Sequence, residues 1–258
     1  MTGLVLRPLH NSDEMAAASE LMARIWRVEK AQSHVSPEMI TALAHAGNYV
    51  AGAFRNEELI AACVGFFHPP DAKALHSHIT GVHPDAAGTG AGTALKLHQR
   101  EWCLERGITR VTWTYDPLVA RNSYFNIHKL GGEIESYRPD FYGDMRDGVN
   151  EGQPSDRVLL VWRLDRPPRD APEVDEPWPA VLRSVDGRPQ LLGEGPAPAE
   201  HCRVEIPSDI GAVRRADPGL ATAWRAALRS ALGGLLEAGW TVAGFDRRGH
   251  YLLTRSTE

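Results

Sequence analysis

The sequence predicts a mixed α/β protein of the α+β kind: a mostly antiparallel central sheet flanked by helices, then a C-terminal strand-helix-strand-strand extension. Three observations lead there. β-rich runs alternate with helical stretches through the first 165 residues. Two of those runs, Tyr49 to Phe54 and Leu59 to Phe67, are separated only by Arg55-Asn56-Glu57-Glu58, the spacing of an antiparallel hairpin. A set of prolines, among them Pro167, Pro168, Pro172, Pro177, Pro179, Pro196 and Pro198, then breaks regular structure before a last block of strand and helix patterns.

The elements follow in order. Leu4 to Leu9 alternates as a first strand, and Asn11-Ser12-Asp13-Glu14 offers N-caps for a helix carrying Met15, Leu21, Met22, Ile25 and Trp26. A second helix opens at Ser36-Pro37, with proline at the favoured first position, and reaches about His45. After the hairpin, Leu75 to His83 reads as a strand. Gly88-Thr89-Gly90-Ala91-Gly92 turns from it into a helix that Gly107 closes. Along that helix Ala91, Ala94, Leu95, Leu97, Trp102 and Leu104 form the expected buried stripe, leaving Lys96, Gln99, Arg100 and Glu101 for solvent.

Ile108 to Tyr115 is expected as a strand, Leu118 to Leu130 as a helix, and Glu133 to Tyr137 with Val158 to Leu164 as two strands. In the proline-rich stretch, Asp186-Gly187 sits between two short apolar runs as a hairpin turn. Beyond it come a strand at Val204 to Ile206, a helix capped by Asp217 ahead of Pro218, and strands at Trp240 to Phe245 and Tyr251 to Thr254. The expected domains are 1–166, a linker over 167–200 and an extension over 201–258. Its helix, with Leu220, Trp224, Leu228, Leu232 and Leu235, is too apolar to stand in water and should dock on the first domain or form a homodimer contact.

Composition narrows the function classes. With 258 residues, a net charge of -5 and no basic run, the chain lacks the electrostatic footprint of a nucleic-acid binder. No apolar stretch approaches the ~18 residues of a membrane span. The first residues lack the charged start and apolar core of a secretory signal, so a cytoplasmic address is expected. Cys63, Cys103 and Cys202 are odd in number and far apart, which fits reduced thiols better than a disulfide framework or a metal pair.

The glycine-rich turn carries the chemistry. A strand ending at Val82-His83-Pro84 and turning through three near-consecutive glycines into a helix presents backbone N–H groups at the positive end of that helix, a setting that attracts phosphate. Without Cβ atoms the backbone can approach the anion closely, and positive φ costs little. Thr89 and Thr93 can add hydroxyls. A P-loop would need a lysine well before Lys96. A dinucleotide fingerprint fits Gly88 and Gly90 but meets Thr93 where its third glycine belongs.

A third pattern fits better. Val82-His83-Pro84-Asp85-Ala86-Ala87-Gly88-Thr89-Gly90-Ala91-Gly92-Thr93-Ala94-Leu95 resembles the coenzyme A motif of the GNAT superfamily of N-acetyltransferases, and the element order over residues 1–165 resembles that superfamily too. Trp113 to Leu118, Arg121 to Asn126 and Tyr142 to Gly148 look like a bacterial group described only as predicted acetyltransferases. The resemblance implies a fold of the GNAT type and an acetyl-CoA (or other acyl-CoA) co-substrate held by Gly81, Val82, Gly88, Thr89, Gly90, Ala91, Gly92, Thr93 and Asn122. It also implies a small-molecule or peptide amine as acceptor, attacking the thioester directly, and no metal. Ala87 stands where the motif has Arg or Gln, which removes one side-chain contact to the phosphates.

For the base, His76 and His78 titrate in the useful range and, two apart on one strand, should share a face with Thr80 and Val82. Buried, hydrogen-bonded histidines are the plain alternative, and a metal site lacks a third ligand. For the acid, the resemblance implies a tyrosine at Ile127, where none stands. Tyr124, one turn earlier, and Tyr142, in the polar loop Asp140 to Arg157, are the substitutes. Asn122 holds the cofactor arm or caps the backbone. The loop carboxylates Asp140, Asp144, Asp147, Glu151 and Asp156 either solvate the loop or attract a cationic amine. A coenzyme-binding module without turnover, or transfer of a longer acyl group, are the rival functions.

Overall fold

β1 (Leu4–Pro8) leads into α1 (Ser12–Trp26), which starts where Asn11 accepts the Glu14 N–H through its side chain, and α2 (Pro37–His45) starts the same way at Ser36. The computed structural model describes residues 3–150, 152–168, 172, 178–192 and 200–255. They fall into two units, Met1–Trp113 with Arg146–Val149, and Thr114–Met145 with Asn150–Glu258. Parts of the expected linker, 169–171, 173–177 and 193–199, lie outside the described residues.

In the first unit β2 (Tyr49–Arg55), β3 (Glu58–Phe67), β4 (Ala74–Val82) and β5 (Arg110–Tyr115) follow β1 across the sheet. The first four pair antiparallel. β4 and β5 are parallel, and their pairing runs only from Ala74↔Arg110 to His76↔Thr112. α1 and α2 cover one face, with Met22, Ile40, Val64 and Ile79 in a shared core. Burying each such side chain is worth roughly 1.5–3 kcal/mol. Gly81 has a steric reason: a Cβ there would meet Ile25 Cδ1 at 2.6 Å and Met22 Sδ at 2.8 Å.

α3 (Ala91–Leu104) lies on the other face and corrects the expected stripe. Its buried positions are Ala91, Leu95, Lys96, Gln99 and Cys103, while Leu97 and Leu104 are exposed. Positions 91, 95, 99 and 103 form one row at a spacing of four, and two polar residues occupy the inward surface because each finds partners there. Lys96 Nζ donates to Ser77 Oγ at 2.7 Å and Gln99 Oε1 at 3.2 Å, and lies 3.9 Å from the centre of the Trp113 ring.

In the second unit α4 (Ala120–Ser123) passes into a π-helical stretch, Tyr124–Lys129, so the helix expected from Leu118 starts later and changes pitch. β6 (Glu133–Arg138) and β7 (Arg157–Arg163) pair antiparallel. A five-stranded sheet holds β8 (Ala180–Val185), β9 (Arg188–Leu191), β10 (His201–Glu205), β11 (Trp240–Phe245) and β12 (His250–Arg255), in the order β11-β12-β10-β8-β9. Asp186 and Gly187, at φ 50° and 78°, make the β8–β9 turn.

The extension contains one more helix than expected. α5 (Ile210–Ala216) precedes α6 (Pro218–Leu228), which runs on through a π-helical stretch, Arg229–Gly233, into α7 (Gly234–Glu237). α6 buries Trp224 and Leu228 completely. This apolar face packs within its own unit, where Trp224 Nε1 donates to Gly187 O at 3.0 Å.

Candidate active site

The turn from β4 to α3 is built by its own hydrogen bonds. Ala86 N–H donates to His83 O, Ala87 N–H to Pro84 O, and Thr89 donates to Ala86 O from both its N–H and its hydroxyl, the latter at 2.7 Å. The Thr89 hydroxyl is thus turned into the loop and does not serve as the free donor expected of it. Gly88 and Gly90 have φ of 77° and 87°, and a Cβ on either would meet no atom within 4 Å. Both glycines therefore answer to backbone conformation and to what lies above the turn, not to crowding from the chain.

Gly90 is the N-cap of α3 and supplies no side-chain cap, and the first turn has no acidic residue. Its leading N–H groups, at Ala91, Gly92 and Thr93, belong to the set that a helix leaves without intrahelical partners. Gly92 lies close to β4, and a Cβ on it would stand 3.3 Å from Val82 Cγ2, a tight contact. Ala87 is exposed. The arrangement suits an anion: oriented N–H donors, positive helix end, and open space where side chains would stand.

The histidines gather on the first unit's sheet. A bulge in β4 skips from Ser77 to Ile79 opposite Gly65 and Val64, and it breaks the alternation expected of this strand. His76 and His78 do lie together, ring centres 6.2 Å apart, beside Phe66 at 5.1 Å and 5.6 Å. Thr80 parts from them: it pairs with Cys63 and donates to Cys63 Sγ at 3.1 Å, on the side where Gln99 also reaches that sulfur. The shared face of His76, His78, Thr80 and Val82 is therefore not formed.

His76 Nδ1 and His68 Nε2 both reach Thr112 Oγ1, at 3.2 Å and 2.9 Å. Burial first, then the charges of His78, His68 and Lys96, push His76 down to about 4. Loss of surrounding water and the charge of His34 also hold His78 below the usual histidine range. His34 in turn lies 3.3 Å from the buried Asp147 carboxylate and packs against Trp26. His68 and His34 were not singled out from the sequence, since neither sits in a motif.

Asn122, Tyr124 and Tyr142 belong to the second unit. Asn122 is the third residue of α4, whose N-cap is Val119, so it does not cap the helix. Tyr124 stacks on His128 at 4.5 Å, and its hydroxyl accepts from Arg247 Nε at 3.1 Å. Ile127 is buried. Tyr142 is exposed, and its hydroxyl lies 2.9 Å from Thr114 Oγ1. Of the loop carboxylates, Asp140 receives the Ser155 N–H, and Asp156 receives the Tyr137 hydroxyl, the Asp140 N–H and the Arg229 guanidinium. These two hold the loop together. Asp144 is exposed, and Glu151 lies outside the described residues.

Residues 15–125 match the model of the Acetyltransferase (GNAT) family. Among solved structures it is similar to the ribosomal-protein-S18-alanine N-acetyltransferase from Escherichia coli, at 14% identity and TM-score 0.50, over 64% of this chain and 96% of that one. It is also similar to yncA from Salmonella typhimurium, solved with its cofactor acetyl-CoA, at 16% identity and TM-score 0.51, over 65% and 99%. The ribosomal-protein-alanine N-acetyltransferase from Brucella melitensis matches at 14% and 0.51, over 62% and 99%. At these identities the likeness is one of fold. No curated protein matches the chain.

Proposed function

We propose that the protein transfers an acetyl group from acetyl-CoA to a primary amine of a small molecule or peptide. The observation that carries this reading is the turn Gly88 to Thr93, with positive φ and open space at Gly88 and Gly90, inside the segment that matches the family. Its amides would hold the diphosphate, with Gly81 and Val82 near the arm that follows. β4 pairs with β5 no further than His76, which supports an extended arm lying along the remaining backbone of β4. Acetyl-CoA supplies the activated thioester.

The chain's own contribution is orientation and proton handling. His78, with His76 beside it, is the base candidate that takes a proton from the ammonium form of the acceptor. Tyr124 or Tyr142 is the acid candidate for the departing thiolate, and Asn122 a polar contact for the cofactor arm. We expect a cytoplasmic enzyme without metal, in three parts over 1–166, 167–200 and 201–258. Thiol release from acetyl-CoA over a panel of amines tests the reading, and turnover with at least one amine is expected. The buried Ile127 at the usual acid position favours a second reading, a coenzyme-binding module without turnover, and tight coenzyme A binding with every amine inert would establish it.

A further inference from the structure

The geometry points to a proton relay serving the acceptor amine, in which His76 takes the proton at Nε2 and Thr112 passes the one on His76 Nδ1 to His68. It rests on the amine-transfer reading above. Thr112 Oγ1 sits between the rings, 3.2 Å from His76 Nδ1 and 2.9 Å from His68 Nε2. A hydroxyl has one proton to give, so Thr112 donates to one imidazole and accepts from the other.

The two arrangements differ in what they leave His76 able to do. If Thr112 donates to His76, the Nδ1 lone pair is used and Nε2 carries the hydrogen, so the ring has nothing with which to take a proton. If Thr112 donates to His68, His76 is protonated at Nδ1 and Nε2 keeps its lone pair. His76 Nε2 has no partner among the described residues, which leaves it for an incoming ammonium. Only this second arrangement keeps both hydrogen bonds and a base.

The step balances as a proton shift alone. An N–H bond of the ammonium breaks as one forms at His76 Nε2. The Nδ1 proton moves to Thr112 Oγ1 while the Thr112 proton moves to His68 Nε2. The amine is left with its lone pair, His76 stays neutral, and the positive charge ends on His68, in the connection between β3 and β4. After product release the shift runs back and the proton leaves His76 Nε2 for water, which restores the second arrangement.

The surroundings explain why a relay is needed. Burial first, and then the charges of His78 on β4, His68 after β3 and Lys96 on α3, disfavour the His76 cation, and burial with the charge of His34 does the same for His78. A ring held that far down cannot keep the proton of an alkylammonium, but it can pass one along. Thr112 is thus a positioning residue that connects two rings.

Long-range 1H–15N correlation spectra of the imidazoles in the full-length protein test the relay directly. The expected result is His76 protonated at Nδ1 and His68 unprotonated at Nε2, with Thr112→Val abolishing that preference and Thr112→Ser keeping it. In the thiol-release assay, with acetyl-CoA and an amine the wild type uses, Thr112→Val and His68→Gln should lower kcat roughly tenfold to a hundredfold. The KM for acetyl-CoA should stay unchanged, and Thr112→Ser should recover most of the rate. A hydrogen on His76 Nε2, or an unchanged kcat in both variants, would overturn the relay. If the wild type turns over no amine, the proposed function fails, and the spectra alone decide the relay.

Discussion

Arg225 and Asp116 meet through two parallel hydrogen bonds, Nη1 to Oδ1 at 2.6 Å and Nη2 to Oδ2 at 2.7 Å, with only 2% and 8% of each residue exposed. The pair ties α6 to the residue that follows β5. Desolvation works against the Asp116 carboxylate, but the Arg225 guanidinium outweighs it and holds the group below the usual range. Arg225→Met should therefore strand a buried charge and destabilise the protein by about 3–5 kcal/mol. Adding Asp116→Leu should restore much of that, as measured by urea denaturation. A double variant no more stable than the single one would show that packing, and not the stranded charge, sets the loss.

Lys96 is the opposite case, a buried ammonium held by a hydroxyl, an amide oxygen and a ring face. Burial pushes it down to about 8, against an ordinary lysine value of about 10.4. In this direction the folded state binds fewer protons than the unfolded chain between those two values. The cost is fully present below about pH 8 and is relieved as pH rises toward 10.4. Wild-type stability should thus climb over that window relative to Lys96→Met, which removes the charge and keeps most of the volume. Parallel stability curves from pH 7 to 10 would contradict a strained ammonium at this site.

Substitution separates the two acid candidates. Tyr124→Phe should lower kcat on the order of a hundredfold if this hydroxyl protonates the leaving thiolate, while Tyr142→Phe, losing only its bond to Thr114, should cost less than about fivefold. Steady-state kinetics with acetyl-CoA and one competent amine distinguish them. The reverse ranking would move the role to Tyr142.

The legible and illegible parts of the sequence divide on physical lines. Strand and helix runs were readable wherever period and punctuation agree, as at Asn11, Ser36, Asp217 and the Asp186-Gly187 turn. The glycine turn was readable because three glycines at a strand-to-helix junction have few other uses. Lys96 and Gln99 were misread because pattern reading assigns polar residues to water, and only their partners Ser77, Cys63 and Trp113, far along the chain, make burial tolerable. The β4 bulge was invisible for a related reason: it depends on the register of β3, which no local pattern encodes. The π-helical stretch after Ser123 likewise shifts Tyr124 out of the phase that a regular helix would give it.

The central claim, that the amides of the turn into α3 hold a diphosphate, is tested most directly by calorimetric titration of coenzyme A into wild type, Gly90→Val and Gly107→Ala. Gly90 and Gly107 have φ of 87° and 68° with open space around each, so both substitutions place a side chain in strained backbone, but only the first lies at the turn. Wild type and Gly107→Ala should bind alike, and Gly90→Val should lose at least about tenfold in affinity, or 1.4 kcal/mol, while remaining folded by circular dichroism. Equal binding by all three proteins, or no binding by the wild type, would contradict the account.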